Sequence, residues 1–379
     1  MGKKIKVLHY IFRLNQGGAE TLVKDYALLL NKERFDVVVL CHKRIGSPYE
    51  KILYDAGIKV LYLSDIWHFK PNSFICKVVD KICRLLMVDC FCMRKIIHKE
   101  RPDVIHSHLQ SNFFIKFCKP PKTTKLFYTV HSQPKAWWFS GMDGSKRDLS
   151  ACKYLVSHFG MQLIALNDPM RDELNSLFQV KNTIVLNNGI DFKRFIVDES
   201  KEEIRGEIGI PPDRFLVGHV GRFCTVKNHV FIIDVFKQLL EKKPNSHLLL
   251  VGEGELRTAI ENKIKKMGIT EHVTMLKSRT DIPRIMKCMD VFIFPSLYEG
   301  LGIVLIEAQK MKTHCVISSA IPSAAVVSNF VNRMPPDASL DKWVSAILKS
   351  HDESIEYYDI EKWDMNNVIH KLESLYSEK

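Results

Sequence analysis

Two glutamates, Glu299 and Glu307, bracket the stretch Tyr298-Glu299-Gly300-Leu301-Gly302-Ile303-Val304-Leu305-Ile306-Glu307. The first lies on a glycine-flanked segment after an apolar run ending at Phe294, and the second falls within the helical pattern that follows Gly302. Glu307 stands about 7 to 8 Å beyond Gly302 along a helix axis. Two acceptor groups so separated, with the backbone amides of Gly300, Leu301 and Gly302 between them, suit a ligand with hydroxyls at both ends and phosphates in the middle. A nucleotide sugar has that form. The plainer reading of Glu307, a solvated helix residue, fits poorly with its apolar neighbours Leu305, Ile306 and Ala308.

Cations with a matching use occur in Gly221-Arg222-Phe223-Cys224-Thr225-Val226-Lys227, after another apolar run. Arginine offers phosphate a fork of donors and lysine a point charge, so Arg222 and Lys227 together can neutralise a diphosphate without a metal. Near the start, Asn15-Gln16-Gly17-Gly18-Ala19-Glu20 joins a strand pattern to a helical one, Leu22, Val23, Tyr26 and Leu29. Gly17 and Gly18 would let backbone amides approach an anion at a helix N-terminus, or serve the turn alone. Leu250-Val251-Gly252-Glu253-Gly254 opens like a dinucleotide fingerprint, but Arg257 occupies its third glycine position, so no nicotinamide site is expected. His106 and His108 alternate along a strand and can share a face as metal ligands; no third ligand is apparent, and no metal site is expected.

Short apolar runs separated by periodic segments predict the elements that hold these residues. The first half gives strands at Ile5–Tyr10, Phe35–Cys41, Val60–Leu63, Val104–His106, Lys125–Val130, Leu163–Leu166 and Thr183–Leu186. The rhythm restarts with Phe215–Val220, Leu248–Val251, Val273–Leu276, Val291–Phe294 and Cys315–Ser318. Two consecutive α/β units are the economical reading. An Asn-Gly turn near Asn187–Asp191 marks the boundary, and Ser200–Gly209 reads as a connecting helix. The expected domains are residues 1–192 and 193–355, followed by a C-terminal helix in 356–379 anchored by Trp363 and Tyr376.

The formal charge of +12 is unevenly spread. Residues 1–192 carry 29 Lys and Arg against 17 Asp and Glu, and residues 193–379 carry 26 of each. An anionic partner for the first half is implied, with a merely solvated basic surface as the alternative. The segment Phe74–Lys99 reads as a basic amphipathic helix, suited equally to an anionic lipid surface or to half-burial in a core. Its uncharged runs are too short to span a membrane. Trp137-Trp138-Phe139 can stack on a sugar or enter a headgroup layer. The ten cysteines follow no disulfide spacing, and with no leader pattern they point to a reducing, cytoplasmic setting. Cys76, Cys83 and Cys90 fall along one side of a helix as small buried hydrophobes. No nucleic-acid-binding module accompanies the charge.

Taken in order, Gly17-Gly18-Ala19-Glu20, Asn188-Gly189-Ile190-Asp191, Gly221-Arg222 with Lys227, and the glutamate pair resemble glycosyltransferase family 4 over nearly the whole chain. The resemblance implies an α/β fold of the GT-B architecture, two Rossmann-like domains facing across a cleft with the C-terminal helix crossing back to the first. It implies a retaining transfer of a hexose or N-acetylhexosamine from a nucleotide sugar, UDP-linked, to a glycan acceptor. A polyprenyl-diphosphate-linked acceptor in bacterial cell-surface polysaccharide assembly, at the cytoplasmic face of the membrane, is what it suggests. Arg222 and Lys227 would then hold the diphosphate, Glu307 the ribose, and Glu299 with Gly300, Leu301 and Gly302 would lie near the sugar. Gly17 and Gly18 would approach the phosphates from the first domain. His131, in Thr129-Val130-His131-Ser132, matches a family histidine beside sugar and acceptor, with an ordinary loop histidine as the alternative. No cofactor or metal is expected. The chain departs from the family pattern at Lys312-Thr313-His314 and Ile321-Pro322-Ser323-Ala324-Ala325, which supports a non-catalytic binding protein as one rival. A sugar-nucleotide epimerase is another.

Overall fold

Strand-forming runs of Val, Ile, Leu and Phe, buried on both faces in the central strands and half-buried at the edges, assemble two parallel sheets in a computed structural model that describes residues 3–15, 17–66, 88–109, 111–139, 145–335, 337–349 and 354–378. Gln16, Cys76, Cys83, Gly141, Gly144 and the first part of the Phe74–Lys99 helix lie outside the described residues. The first unit comprises Met1–Gly189 with Asn366–Lys379, and the second Ile190–Met365.

The strands of the first unit are β1 Ile5–Ile11, β2 Phe35–Cys41, β3 Lys59–Tyr62, β4 Val104–His108, β5 Lys125–Thr129, β6 Gln162–Ala165 and β7 Ile184–Val185. They pair in the order β3-β2-β1-β4-β5-β6-β7. The second unit contributes β8 Phe215–Val220, β9 Ser246–Val251, β10 Val273–Leu276, β11 Val291–Phe294, β12 His314–Ser318 and β13 Val331–Met334, ordered β10-β9-β8-β11-β12-β13. Each sheet is the doubly wound arrangement in which the strand order reverses beside the first strand. The reversal leaves a crevice at the carboxyl ends of the two central strands. Those strands are β1 and β4 in the first unit, β8 and β11 in the second.

The second unit packs helices His229–Lys242, Arg257–Lys266 and Leu340–Leu348 through Phe236, Ile260 and Trp343 onto Val217, Leu250 and Ile293 of the sheet. Its leading helix, Lys201–Glu207, starts at a capping box made by Ser200 and Glu203. Buried Arg205 ties that helix down, donating to Cys288 O at 2.9 Å and to Asp290 Oδ2 at 2.8 Å.

The final helix, Met365–Ser377, belongs almost wholly to the first unit. Buried Glu373 accepts the amide of Asn31 at 2.8 Å and pairs with Arg34 at 3.1 Å. Tyr376 meets His106 Nδ1 at 2.6 Å, and Trp363, just before the helix, is fully buried.

Candidate active site

In the second unit the two segments carrying the sequence-predicted donor residues leave β8 and β11, the strands that flank the reversal. After β8 the chain runs through Gly221 and Arg222 into a 3-10 turn, Thr225–Lys227, and Asn228 at φ 56° starts helix His229–Lys242. After β11 it passes Glu299 and reaches Gly302, whose φ of 87° turns the backbone into helix Ile303–Lys310. Leu297 N donates to Val226 O at 2.9 Å and so joins the two segments. Lys227 Nζ lies 2.6 Å from Glu299 Oε1 and 4.8 Å from the centre of the Phe294 ring, with both charged side chains mostly buried. Leu301 is buried under this turn, and Glu307 is partly exposed on the helix beyond it.

Arg222 does not join Lys227. Its guanidinium is exposed and pairs with Glu255 at 3.0 Å. The glycines that resemble a dinucleotide fingerprint have a different use here. A Cβ on Gly252 would strike the carbonyl of Gly221, and one on Gly254 would strike the backbone of Phe223. They let the Gly252–Gly254 loop lie against the loop 221–227, which Phe223 N secures by donating to Glu253 O at 2.9 Å.

The first unit gathers a different set. Gly17 precedes helix Gly18–Leu29, and a Cβ on it would collide with the Glu20 carboxylate, which folds back over the helix N-terminus. A carboxylate is favoured there by the exposed amides. His131 follows β5 and is partly exposed. Its Nε2 lies 3.0 Å from His108 Nδ1, and His108 Nε2 lies 3.3 Å from His9 Nδ1. His106, stacked on His108 with ring centres 4.3 Å apart, bonds Tyr376 OH and, at 2.7 Å, Thr129 Oγ1. Burial lowers the pKa of His9 to about 3 and holds His106 and His108 well below the usual histidine value, so these rings are neutral. Desolvation likewise depresses His131.

The pair His106 and His108 therefore has a third imidazole beside it, contrary to the sequence reading. His9, His106 and His108 have ring nitrogens within 4.8 Å of one another, close enough to hold a metal ion. Their nitrogens are instead spent largely on one another and on hydroxyls. Finding His9 needed the register that sets it opposite His106 on β1 and β4.

Family models match both units. One described as Glycosyltransferase Family 4 covers residues 16–194, and one described as Glycosyl transferases group 1 covers residues 200–353. The chain belongs to the family 4 glycosyltransferases.

Among relatives of this glycosyltransferase, the capsular polysaccharide biosynthesis protein CapH of Staphylococcus aureus is 26% identical over 391 residues, 99% of each chain. The UDP-Gal:alpha-D-GlcNAc-diphosphoundecaprenol alpha-1,3-galactosyltransferase of Escherichia coli is 24% identical over 372 residues, covering 93% of this chain and 89% of its own. Among solved structures, HepE from Anabaena, in complex with UDP and glucose, superposes with a TM-score of 0.74 at 20% identity, over 99% of this chain and 100% of its own. The last likeness places the enzyme in the GT-B fold.

The departures from the family pattern are built into the second unit. Lys312 takes φ 58°, the left-handed conformation that a glycine adopts freely. The stretch Ile321–Ala325 forms a 3-10 turn at Ser323–Ala325. Buried Gln309 holds it, donating to Ala325 O at 2.8 Å and accepting from Val327 N at 2.8 Å.

Of the membrane-facing candidates, helix Val88–Glu100 buries Cys90, Met93, Ile96 and Ile97, so its apolar side serves the core. Arg94, Lys95, Lys99 and Phe91 face outward. Trp138 is buried with Nε1 donating to Asp148 at 3.2 Å, and Phe139 is exposed. Among the described residues no helix is long and apolar enough to cross a membrane.

Proposed function

We propose that this glycosyltransferase moves a hexose or N-acetylhexosamine from a UDP-linked donor to a glycan acceptor in cell-surface polysaccharide synthesis, with retention of anomeric configuration. The observation that carries the donor assignment is the convergence of the Arg222–Lys227 and Glu299–Glu307 segments at the ends of β8 and β11. Crevices at such a reversal bind nucleotides in open α/β sheets. Lys227 and Arg222 hold the diphosphate, Glu307 accepts the ribose hydroxyls, and Glu299 with Gly300, Leu301 and Gly302 frames the sugar. Gly17, Gly18 and His131 are the first unit's candidates for contact with substrate. The acceptor hydroxyl attacks the anomeric carbon as the bond to the diphosphate breaks, and its proton passes to the departing diphosphate on the same face. Catalysis then rests on positioning and on stabilising the leaving charge.

The polysaccharide role draws support from CapH, and a lipid-diphosphate-linked acceptor from the Escherichia coli enzyme, whose name specifies one. Docking on the anionic cytoplasmic face of a membrane fits the basic excess of the first half and its exposed Phe91, Phe117 and Phe139. Arg147 and Lys116 sit over the rings of Phe113 and Tyr154. No metal takes part in this scheme, because Arg222 and Lys227 supply its positive charge. Incubating the enzyme with a panel of nucleotide sugars and lipid-diphosphate acceptors, with mass-spectrometric readout and with or without EDTA, tests the proposal. Transfer from a UDP-sugar that persists in EDTA is expected. Transfer only with added Mg or Mn would overturn the metal-free reading, and hydrolysis or epimerisation without transfer would overturn the acceptor assignment.

A further inference from the structure

The three imidazoles His9, His108 and His131 form one hydrogen-bonded string through the first unit, from the core to a partly exposed end. The inner end is distinctive, since His9 Nε2 is buried and has no hydrogen-bond partner among the described residues. Each neutral imidazole carries one N–H and one lone pair, so a string of this kind has two proton orders. In one, every ring is protonated on the nitrogen pointing inward, and His9 Nε2 is left as a buried N–H with no acceptor. In the other, His9 and His108 each carry their proton on Nδ1 and donate outward. His131 Nε2 then accepts, and the His131 proton sits on Nδ1. This second order leaves only a lone pair unmatched in the core, and buried donors without acceptors are the rarer defect in folded proteins.

We propose that His9 and His108 are positioning residues that hold His131 in its Nδ1–H tautomer, presenting an N–H donor to a sugar or acceptor oxygen. The functional clause rests on the reading of His131 given above. A free histidine side chain prefers the opposite tautomer, with the proton on Nε2. The string is thus what sets the proton, in the way that the bond made by one ring nitrogen fixes the other. His106 stands outside the string because both of its nitrogens are engaged by Tyr376 and Thr129. His131 becomes a fixed donor, with its other nitrogen closed to substrate.

Long-range 1H–15N correlation spectra of the full chain, labelled with 15N-histidine at neutral pH, report which nitrogen of each ring is protonated. The His131 signals are assigned by their loss in His131→Gln. Wild type is expected to show His9, His108 and His131 all protonated on Nδ1. His108→Leu should move the His131 proton to Nε2. His108→Asn, whose carboxamide nitrogen occupies nearly the place of Nδ1, should keep it on Nδ1. Transfer should fall about a hundredfold in His108→Leu, the scale of losing one preorganised donor, and recover in His108→Asn, with UDP affinity unchanged in both. A wild-type His131 protonated on Nε2 overturns the proposal, as does a His108→Leu spectrum in which His131 keeps its proton on Nδ1. The wild-type spectrum decides the matter alone if the leucine variant does not fold. If the tautomer responds as stated while transfer does not, the string stands and the placement of His131 against substrate falls.

Discussion

Lys227 meets any ligand with its charge already matched, held between the Glu299 carboxylate and the Phe294 ring. A diphosphate that takes Lys227 competes with Glu299 for the three ammonium donors, and displacing that carboxylate would free it to accept hydroxyls. Arg222 is cheaper to recruit, because an exposed pair such as Arg222–Glu255 contributes at most about 1 kcal/mol. Arg222→Ala and Glu307→Ala are each expected to weaken UDP binding by roughly 1.5 to 3 kcal/mol, the scale of a hydrogen bond to a charged group. Isothermal calorimetry on the folded variants measures this, and unchanged affinity in both would remove the donor site from these residues. In a double-mutant cycle of Lys227→Ala and Glu299→Gln, unfolding free energies should show coupling of about 0.5 to 3 kcal/mol, as contacting charges do. Additive effects would mean the pair is unimportant to the empty enzyme. The residue types and spacing were enough to single out Lys227, Glu299 and Glu307 as donor-site candidates in the sequence. Their local partners were not legible there, because the Glu299–Lys227 contact spans 72 positions and depends on β8 lying beside β11.

The loop 221–227 owes its shape to two neighbouring glycines, Gly252 and Gly254, that have no side chains to intrude. Gly252, at φ 146°, lies against the Gly221 carbonyl, so Gly252→Ala combines a backbone conflict with a collision. It should cost on the order of 2 to 3 kcal/mol and weaken UDP binding by shifting Arg222, both visible in a thermal melt with and without nucleotide. The opposite change is available at the end of helix Ile303–Lys310. Lys312→Gly removes the strain of a left-handed lysine and should raise stability by roughly 0.5 to 1 kcal/mol after the extra freedom of unfolded glycine is subtracted. Denaturant titration checks it, and a loss of stability would show that the Lys312 side chain is worth more than its backbone strain. Strands with long apolar runs, such as Phe35–Cys41 and Val291–Phe294, were legible to the residue. Val331–Met334 was not, because Val-Asn-Arg-Met at the sheet edge is half exposed and carries no apolar signal.

Charge and histidine burial act on the molecule as a whole. Cosedimentation with anionic vesicles should be strong at low salt and weaken as the Debye length shrinks to about 8 Å at physiological ionic strength. Changing Arg94, Lys95, Lys116 and Arg147 to Gln should reduce it, and indifference of the wild type to anionic vesicles would refute membrane docking. Acid should act through the neutral rings of His9, His106, His108 and His219, whose folded pKa values are all depressed by burial. Below the unfolded value of about 6.5 the unfolded chain binds protons that the folded chain refuses. Stability is therefore full above that pH and falls beneath it, by about 1.4 kcal/mol per pH unit for each ring until its folded pKa is reached. Melting curves from pH 7.5 down to about 5 should show this fall, and a flat profile would contradict the burial of these rings. The helix Met365–Ser377 has one more consequence. It follows the whole second unit in the chain, yet it brings Tyr376 to His106 and Glu373 to Asn31 and Arg34, partners that precede that unit. The second unit, Ile190–Met365, is continuous in sequence and is fully synthesised before this helix is. The strands of the first unit are thus translated before the second unit and completed only after it, when the helix Met365–Ser377 arrives to close them.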